Sequence, residues 1–312
     1  MSELKATREA YGEALSELGA KNKNVVALDA DLSGSTKSAV FAKKFPERFF
    51  NMGIAEADMI GTATGLAISG KIAFASTFAV FATGRCYDQI RVSVAYPKTN
   101  VKIVGSHSGL MTGEDGASHQ ATEDIALMRA MPNMYIANPA DAAEAHDAVF
   151  RAAEHNGPVY IRLCRAKTPL LREIQKFEFG KASVIEEGKD ATIFATGIMV
   201  YGAIEARAEL KNKNLDVGVV NVASIKPLDE KLIADLAKKT GAVVTAEDHS
   251  IIGGLGGAVA ETLAEKRPTP MERVGVRDVF AESGKPAELF HKYGLGTASI
   301  VKHAEKAVAR KK

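Results

Sequence analysis

A chain of 312 residues with 46% hydrophobic content has enough apolar mass for one large or two medium domains, each with its own core. Its net charge of +2, with lysine and arginine scattered rather than interleaved with aromatics, argues against nucleic acid as a partner. No membrane-spanning stretch, no secretory pattern at the N-terminus and two cysteines without framework spacing make a cytoplasmic protein the expectation.

Apolar runs of strand length alternate with segments of helical period, which is the pattern of an α/β protein with mostly parallel sheets. In chain order the sequence predicts a helix at about Leu4–Gly19, a strand at Val25–Ala30, a helix at about Ala55–Ser69 and a strand at Ile72–Ser76. Next come a helix at about Phe78–Val94, a strand at Val101–Gly105, a helix at about Thr122–Ala130, a strand at Tyr135–Ala137, a helix at about Ala140–His155 and a strand at Val159–Leu163. The polar stretch from Thr168 to Gly180 reads as connecting chain. Alternation then restarts with strands at Ala191–Ala195, Val217–Asn221 and Val243–Ala246. Two domains are therefore expected, 1–172 and 189–312, joined by a linker at 173–188.

Between Gly105 and Gln120 the chain carries His107, His119, Glu114 and Asp115 among four glycines whose backbone freedom permits tight turns and close approach to a ligand. Histidine titrates near neutral pH, and Asp115, four residues before His119, can orient it or take a substrate hydroxyl. Either histidine alone reads more readily as a structural residue; the four polar groups together give a functional reading equal standing. The spacing matches no zinc signature, and Cys86 and Cys164 lie apart in apolar contexts, so no metal site is expected.

The segment Gly53–Ile68 is small and apolar almost all round, so it is expected to be packed on most sides, with Gly61 and Gly65 admitting close helix contact. Glu56 is either an acid favoured by the helix N-terminus or a partly buried carboxylate able to share a proton with a bound base; Asp58 competes from a different face. Phe78 and Phe81, expected on one face of the next helix, are either a core pair or a flat wall for a heteroaromatic ring. Gly253–Gly257, between a strand ending near Glu247 and a helix from about Ala258, reads as a tight turn, with a phosphate cradle as the alternative.

Gly53-Ile54-Ala55-Glu56, Thr77-Phe78-x-x-Phe81 and Gly113-Glu114-Asp115-Gly116-x-x-His119-Gln120, in that order, resemble the pyrimidine-binding domain of the transketolases, which use thiamine diphosphate. The similarity extends to Ala30-Asp31-Leu32 and to Ile161–Arg165, while Glu247-Asp248-His249 and the glycine-rich turn resemble the family's C-terminal domain. The resemblance implies two domains, each a mostly parallel sheet flanked by helices. It implies cofactor binding by Glu56, Phe78, Phe81 and Asp31, with Asp29 as a rival to the last. Glu56 matches the glutamate that hydrogen-bonds pyrimidine N1′, which makes the cofactor's own imino group a base for its thiazolium carbon. Phe81, with Phe78 beside it, matches the stacking wall. His119 matches a catalytic histidine at the hydroxyls beside the reacting carbon, and Asp115 the residue at the substrate's C2 hydroxyl. Arg8, Ser35, His107 and Arg165 align with residues that hold a sugar's distal phosphate, a group that arginine's fork suits.

There are departures. Transketolases usually carry Arg-Glu-His where this chain has Ala55-Glu56-Ala57, a form closer to deoxyxylulose-phosphate synthases and 2-oxo-acid dehydrogenase β subunits, and Gly84 replaces an aromatic. The Gly-Asp-Gly run with which the family's N-terminal domain holds magnesium and the diphosphate is absent. The resemblance is thus to the C-terminal subunit of a split transketolase. It implies thiamine diphosphate shared with, and Mg2+ held by, a separate N-terminal subunit, in an α2β2 assembly acting on sugar phosphates of the pentose phosphate pathway. The alternatives are the β subunit of a 2-oxo-acid dehydrogenase E1 component and a non-catalytic homologue acting as scaffold.

Overall fold

The computed structural model describes residues 4–171 and 174–311. Two mostly parallel sheets dominate it. The larger has seven strands in the spatial order Ser224–Lys226, Tyr135–Ala137, Val159–Arg162, Val101–Ser106, Ile72–Phe78, Val25–Asp29 and Phe49–Asn51. Six run parallel, and Ser224–Lys226 lies antiparallel at one edge. The second sheet has five strands in the order Met271–Val276, Val243–Ser250, Ala191–Ala195, Val217–Asn221 and Ser183–Glu186, the last antiparallel.

Parallel strands covered on both faces must be apolar on both faces, and Val25–Asp29, Val101–Ser106 and Ala191–Ala195 are buried throughout. One face of the first sheet packs on the helices Thr7–Lys21 and Ala142–Glu154 through Tyr11, Leu15, Phe74, Val149 and Ile161. The other face shares a continuous apolar cluster with the second half of the chain, which contributes Phe194, Val220, Ile225 and Leu255. Reciprocal capping sets the start of Ala142–Glu154: the Glu144 N–H donates to Asp141 Oδ1 at 2.8 Å, and the Ala140 N–H donates to Glu144 Oε2 at 2.7 Å.

Several expectations are corrected. The N-terminal helix starts at Thr7, because Leu4–Ala6 pairs antiparallel with Lys167–Pro169, which overlaps the start of the stretch read as connecting chain. Phe78 does not open a helix. It closes the strand Ile72–Phe78, since Thr77 and Phe78 pair with Gly105 and Ser106 and the ladder outlasts the apolar run. Phe81–Arg85 and Ile90–Ala95 are wound as π-helix. Ser183–Glu186, within the expected linker, is an edge strand of the second sheet, and Ser224–Lys226 crosses from the C-terminal half to the first sheet. Short antiparallel strands carry too little periodicity to be seen in sequence.

Candidate active site at the carboxyl ends of the first sheet

Val25–Asp29 is flanked by Phe49–Asn51 on one side and Ile72–Phe78 on the other, so the order of parallel strands reverses beside it. Loops leaving the carboxyl ends at such a point form a crevice. Asp31 and Ser35 follow Val25–Asp29, Glu56 follows Phe49–Asn51, Phe81 follows Ile72–Phe78, His107, Asp115 and His119 follow Val101–Ser106, and Arg165 follows Val159–Arg162. Arg8 enters from the first turn of the N-terminal helix.

Glu56 is the first residue of the Glu56–Ile68 helix and only 5% exposed. Its Oε1 accepts a hydrogen bond from Arg85 Nη1 at 2.6 Å, and among the described residues no donor reaches Oε2. The Arg85 guanidinium lies 4.0 Å from the centre of the Phe81 ring. Phe78 and Phe81 are near-parallel, 5.9 Å apart, and the His119 ring stands edge-on to both. Phe78 and Phe81 thus lie side by side, with Arg85 against the Phe81 ring. Sequence reasoning missed Arg85; the available signal was a lone cation in an apolar segment.

His107 links this wall to a cationic pocket. Its ring stacks on Phe78 at 3.9 Å, and its backbone sits in the left-handed region at φ +55. Thr112 Oγ1 donates to the His107 carbonyl at 2.7 Å, holding that conformation in place. Arginine has no acceptor, so the 3.4 Å contact between Arg8 Nη1 and His107 Nε2 makes Nε2 the acceptor and leaves Nδ1–H to donate to Ser106 Oγ at 2.8 Å. The ring is neutral: burial, reinforced by Arg8, Arg165, His119 and Lys37, drives its pKa down to about 3. Arg8 is itself pushed down from the usual arginine range by burial and by Arg165. Arg8 Nη1 donates to the Ser35 carbonyl at 2.8 Å, while Arg8 Nε is buried without a partner among the described residues. Two guanidiniums thus face a neutral imidazole, with Lys37 close by. Lys37 was not anticipated from sequence; it enters because residues 33–36 form a single helical turn that ends on Lys37 at φ +74.

The remaining candidates are placed as follows. Arg165 Nη1 donates to the Thr112 carbonyl at 2.8 Å and lies 3.5 Å from Glu114 and 3.7 Å from Asp115. His119 Nδ1 is 2.9 Å from Ser118 Oγ. Asp31 is exposed at φ +62, and its N–H donates to Asn51 Oδ1 at 3.1 Å. Asp29 is buried; Thr36 Oγ1 and Ser38 Oγ donate to its Oδ2 and the Leu32 N–H to its Oδ1, so it holds the loop together rather than facing the crevice. The glycine-rich turn offers no free helix N-terminus. The helix begins at Leu255, and the N–H groups of Leu255 and Gly256 donate to the buried Glu247 carboxylate at 2.7 and 2.8 Å. A Cβ on Gly254 would lie 2.0 Å from Glu247 Oε2, which explains the glycine there and removes the phosphate-cradle reading.

The family description of the transketolase pyrimidine-binding domain matches residues 3–169. The chain belongs to the transketolase family. The family's C-terminal domain matches residues 180–300. A Methanocaldococcus jannaschii protein whose name assigns it provisionally as a transketolase C-terminal section is 52% identical, covering 96% of this chain and 95% of its own length. A 6-deoxy-6-sulfo-D-fructose transketolase subunit of Clostridium sp. (strain MSTE9) is 45% identical, with 97% and 95% covered. A solved split-gene transketolase, described as an inactive β4 tetramer, superposes with a TM-score of 0.91 at 54% identity, over 98% of this chain and 99% of that one. In extent the chain corresponds to the C-terminal section of a transketolase divided between two chains.

Proposed function

We infer that this chain is the C-terminal subunit of a two-chain transketolase that moves a two-carbon ketol unit from a ketose phosphate to an aldose phosphate. One juxtaposition carries the reading: a buried Glu56 beside paired aromatic rings, and, across those rings, Arg8 and Arg165 around a neutral His107. Thiamine diphosphate, when bound, supplies the carbanion-forming carbon. The residues here fit its pyrimidine end: Phe78 and Phe81 provide an apolar face, Glu56 Oε2 is a free carboxylate oxygen at its edge, and Asp31 stands at the next loop. The diphosphate and its Mg2+ fall to the separate N-terminal subunit, in an α2β2 assembly in the cytoplasm.

In this reading Glu56 Oε2 would share a proton with the ring nitrogen of the heteroaromatic group while Oε1 stays on Arg85 Nη1. His119, edge-on to the rings, serves hydroxyls near the reacting carbon. The arginine pair takes the substrate's distal anion, with His107 Nε2 oriented by Arg8 and the Ser35 carbonyl fixing Arg8. Asp115, drawn to Arg165, lies between the anion pocket and the hydroxyl end. A 2-oxo-acid dehydrogenase would leave the cationic pocket without a ligand, because its substrates need carry no distal anion.

The deciding experiment is a pull-down with the tagged chain from its native extract, the eluate assayed for transfer between xylulose 5-phosphate and ribose 5-phosphate with added thiamine diphosphate and magnesium. Transfer that vanishes with Glu56→Ala bait supports the reading. A partner without transfer supports the 2-oxo-acid dehydrogenase alternative, and the absence of any partner supports the scaffold.

A further inference from the structure

The loop bearing Thr112, Asp115 and His119 belongs to the first domain, yet its entry is gripped by the second. Asp248, at the end of the second sheet, is 2% exposed. Its Oδ1 accepts the Leu110 N–H at 2.9 Å and its Oδ2 the Met111 N–H at 3.4 Å. The approach is so close that a Cβ on Gly109 would lie 2.2 Å from Oδ2. The Leu110 side chain is fully buried in the apolar cluster of the C-terminal sheet rather than in that of its own domain. The exit of the loop is held from the same side: the Ser250 N–H donates to the Thr122 carbonyl at 2.7 Å, and Gln120 Nε2 to the Glu282 carbonyl at 3.1 Å. Arg162 ties the two ends together, donating to the Asp248 carbonyl at 2.8 Å and to the Ala121 carbonyl at 3.3 Å.

Between these anchors the loop's own bonds are short-range: the 3-10 turn at Leu110–Asp115, Thr112 Oγ1 on the His107 carbonyl and Gln120 Nε2 on the Gly113 carbonyl at 3.1 Å. Gly109, Gly113 and Gly116 all have positive φ, and glycine-rich segments lose much conformational freedom when ordered. We propose that Asp248 is a positioning residue: through the Leu110 and Met111 N–H groups, the C-terminal domain sets the loop that presents the Thr112 carbonyl to Arg165 and carries Asp115 and His119. The functional importance of that loop rests on the reading under Proposed function; the mechanical coupling does not. The C-terminal domain thereby has a role in the site although, among the described residues, none of its side chains is hydrogen-bonded to the crevice groups described above.

The test is hydrogen exchange with mass-spectrometric readout on the full chain, comparing wild type with Asp248→Ala and Asp248→Asn, together with calorimetric titration of inorganic phosphate. In Asp248→Ala, amides of 109–121 exchange at least about tenfold faster, the loss expected when a buried charge-assisted hydrogen bond is removed. Peptides spanning Val25–Asp29 and Ala191–Ala195 keep their protection. Asp248→Asn, which retains one acceptor oxygen, recovers most of the loop's protection, and phosphate affinity falls in the order wild type, Asn, Ala. Unchanged loop exchange in both variants overturns the proposal. So does loosening of both sheets to the same degree as the loop in the Asn variant, because Asp248 would then support the fold in general. Loop-confined loosening in the variants, with a wild-type chain that binds no phosphate, supports the positioning role and counts against the anion pocket alone.

Discussion

The crevice mouth and the seam between the domains both collect charged side chains, and they treat charge in opposite ways. In the seam, Arg162 and Asp124 are paired at 2.8 Å with both side chains buried, and Tyr160 donates to the same carboxylate at 2.6 Å. Burial works against both charges, yet their attraction outweighs it: Asp124 stays below the usual carboxylate range and Arg162 above the usual arginine range. Asp248 and Glu247, pushed up by burial to about 6 and about 7, spend their oxygens on backbone N–H groups. In the mouth, burial and the nearby Arg165 push Arg8 below the usual arginine range, and burial keeps a histidine beside them neutral. A network of paired opposite charges supports the fold; one left with excess positive charge is set up for an anion.

Substitutions can break that contrast, and the largest effect is expected beside the mouth. Glu56→Ala in the assembled two-chain enzyme should lower two-carbon transfer by about 10³-fold or more while leaving the subunits associated, measured by coupled assay and gel filtration. Activity within tenfold of wild type would remove Glu56 from the chemistry. In the seam, Arg162→Leu strands a buried carboxylate and should cost about 3–5 kcal/mol in denaturant unfolding. A loss under 1 kcal/mol would mean that Asp124 finds another partner or a proton at little expense.

Arg165→Ala should raise KM for a phosphorylated ketose about 10- to 100-fold, with a much smaller change for a short unphosphorylated donor, the loss of one charge-assisted contact. Equal effects on both donors would place the anion elsewhere. The smallest effect concerns pH. The folded state holds His107 neutral down to about 3, whereas the unfolded chain takes up a proton near 6.5. The unfolded state therefore binds more protons in that interval, and the stability associated with a neutral His107 is intact above pH 6.5 and lost as pH falls toward 3. Between pH 7.5 and 5.5 the wild type should lose about 1 kcal/mol more than His107→Asn, with unfolding curves at both pH values as the check. The buried carboxylates, with raised values, act in the opposite direction in both proteins and cancel in the difference.

Much of the site was legible because chemistry-bearing residues lie on loops next to strongly apolar strands. The strand Val101–Ser106 and the glycine-rich run after it stood out together, and so did Glu56 at the head of an apolar helix. The choice between Asp29 and Asp31 was not legible, because it depends on Thr36, Ser38 and Leu32 folding back over one of them. Phe78 looked helical because its local pattern fits either period; pairing of Thr77 and Phe78 with the neighbouring strand decided the matter. The roles of Arg85, Lys37 and Asp248 were not legible for a common reason. Each acts on a partner 29 or more positions away in sequence, or on a loop geometry that exists only once the sheet has formed.

By itself the sequence determined the α/β class, the alternation of elements, the two-domain plan and the loops that carry polar chemistry, since these follow from periodicity and from glycine and polar residues next to apolar runs. Only the tertiary structure decided which carboxylates face the crevice, which are consumed by backbone donors, that His107 is neutral, and that the second domain grips the first domain's loop. Those outcomes depend on burial and on distances between residues remote in the chain, quantities that local sequence does not encode.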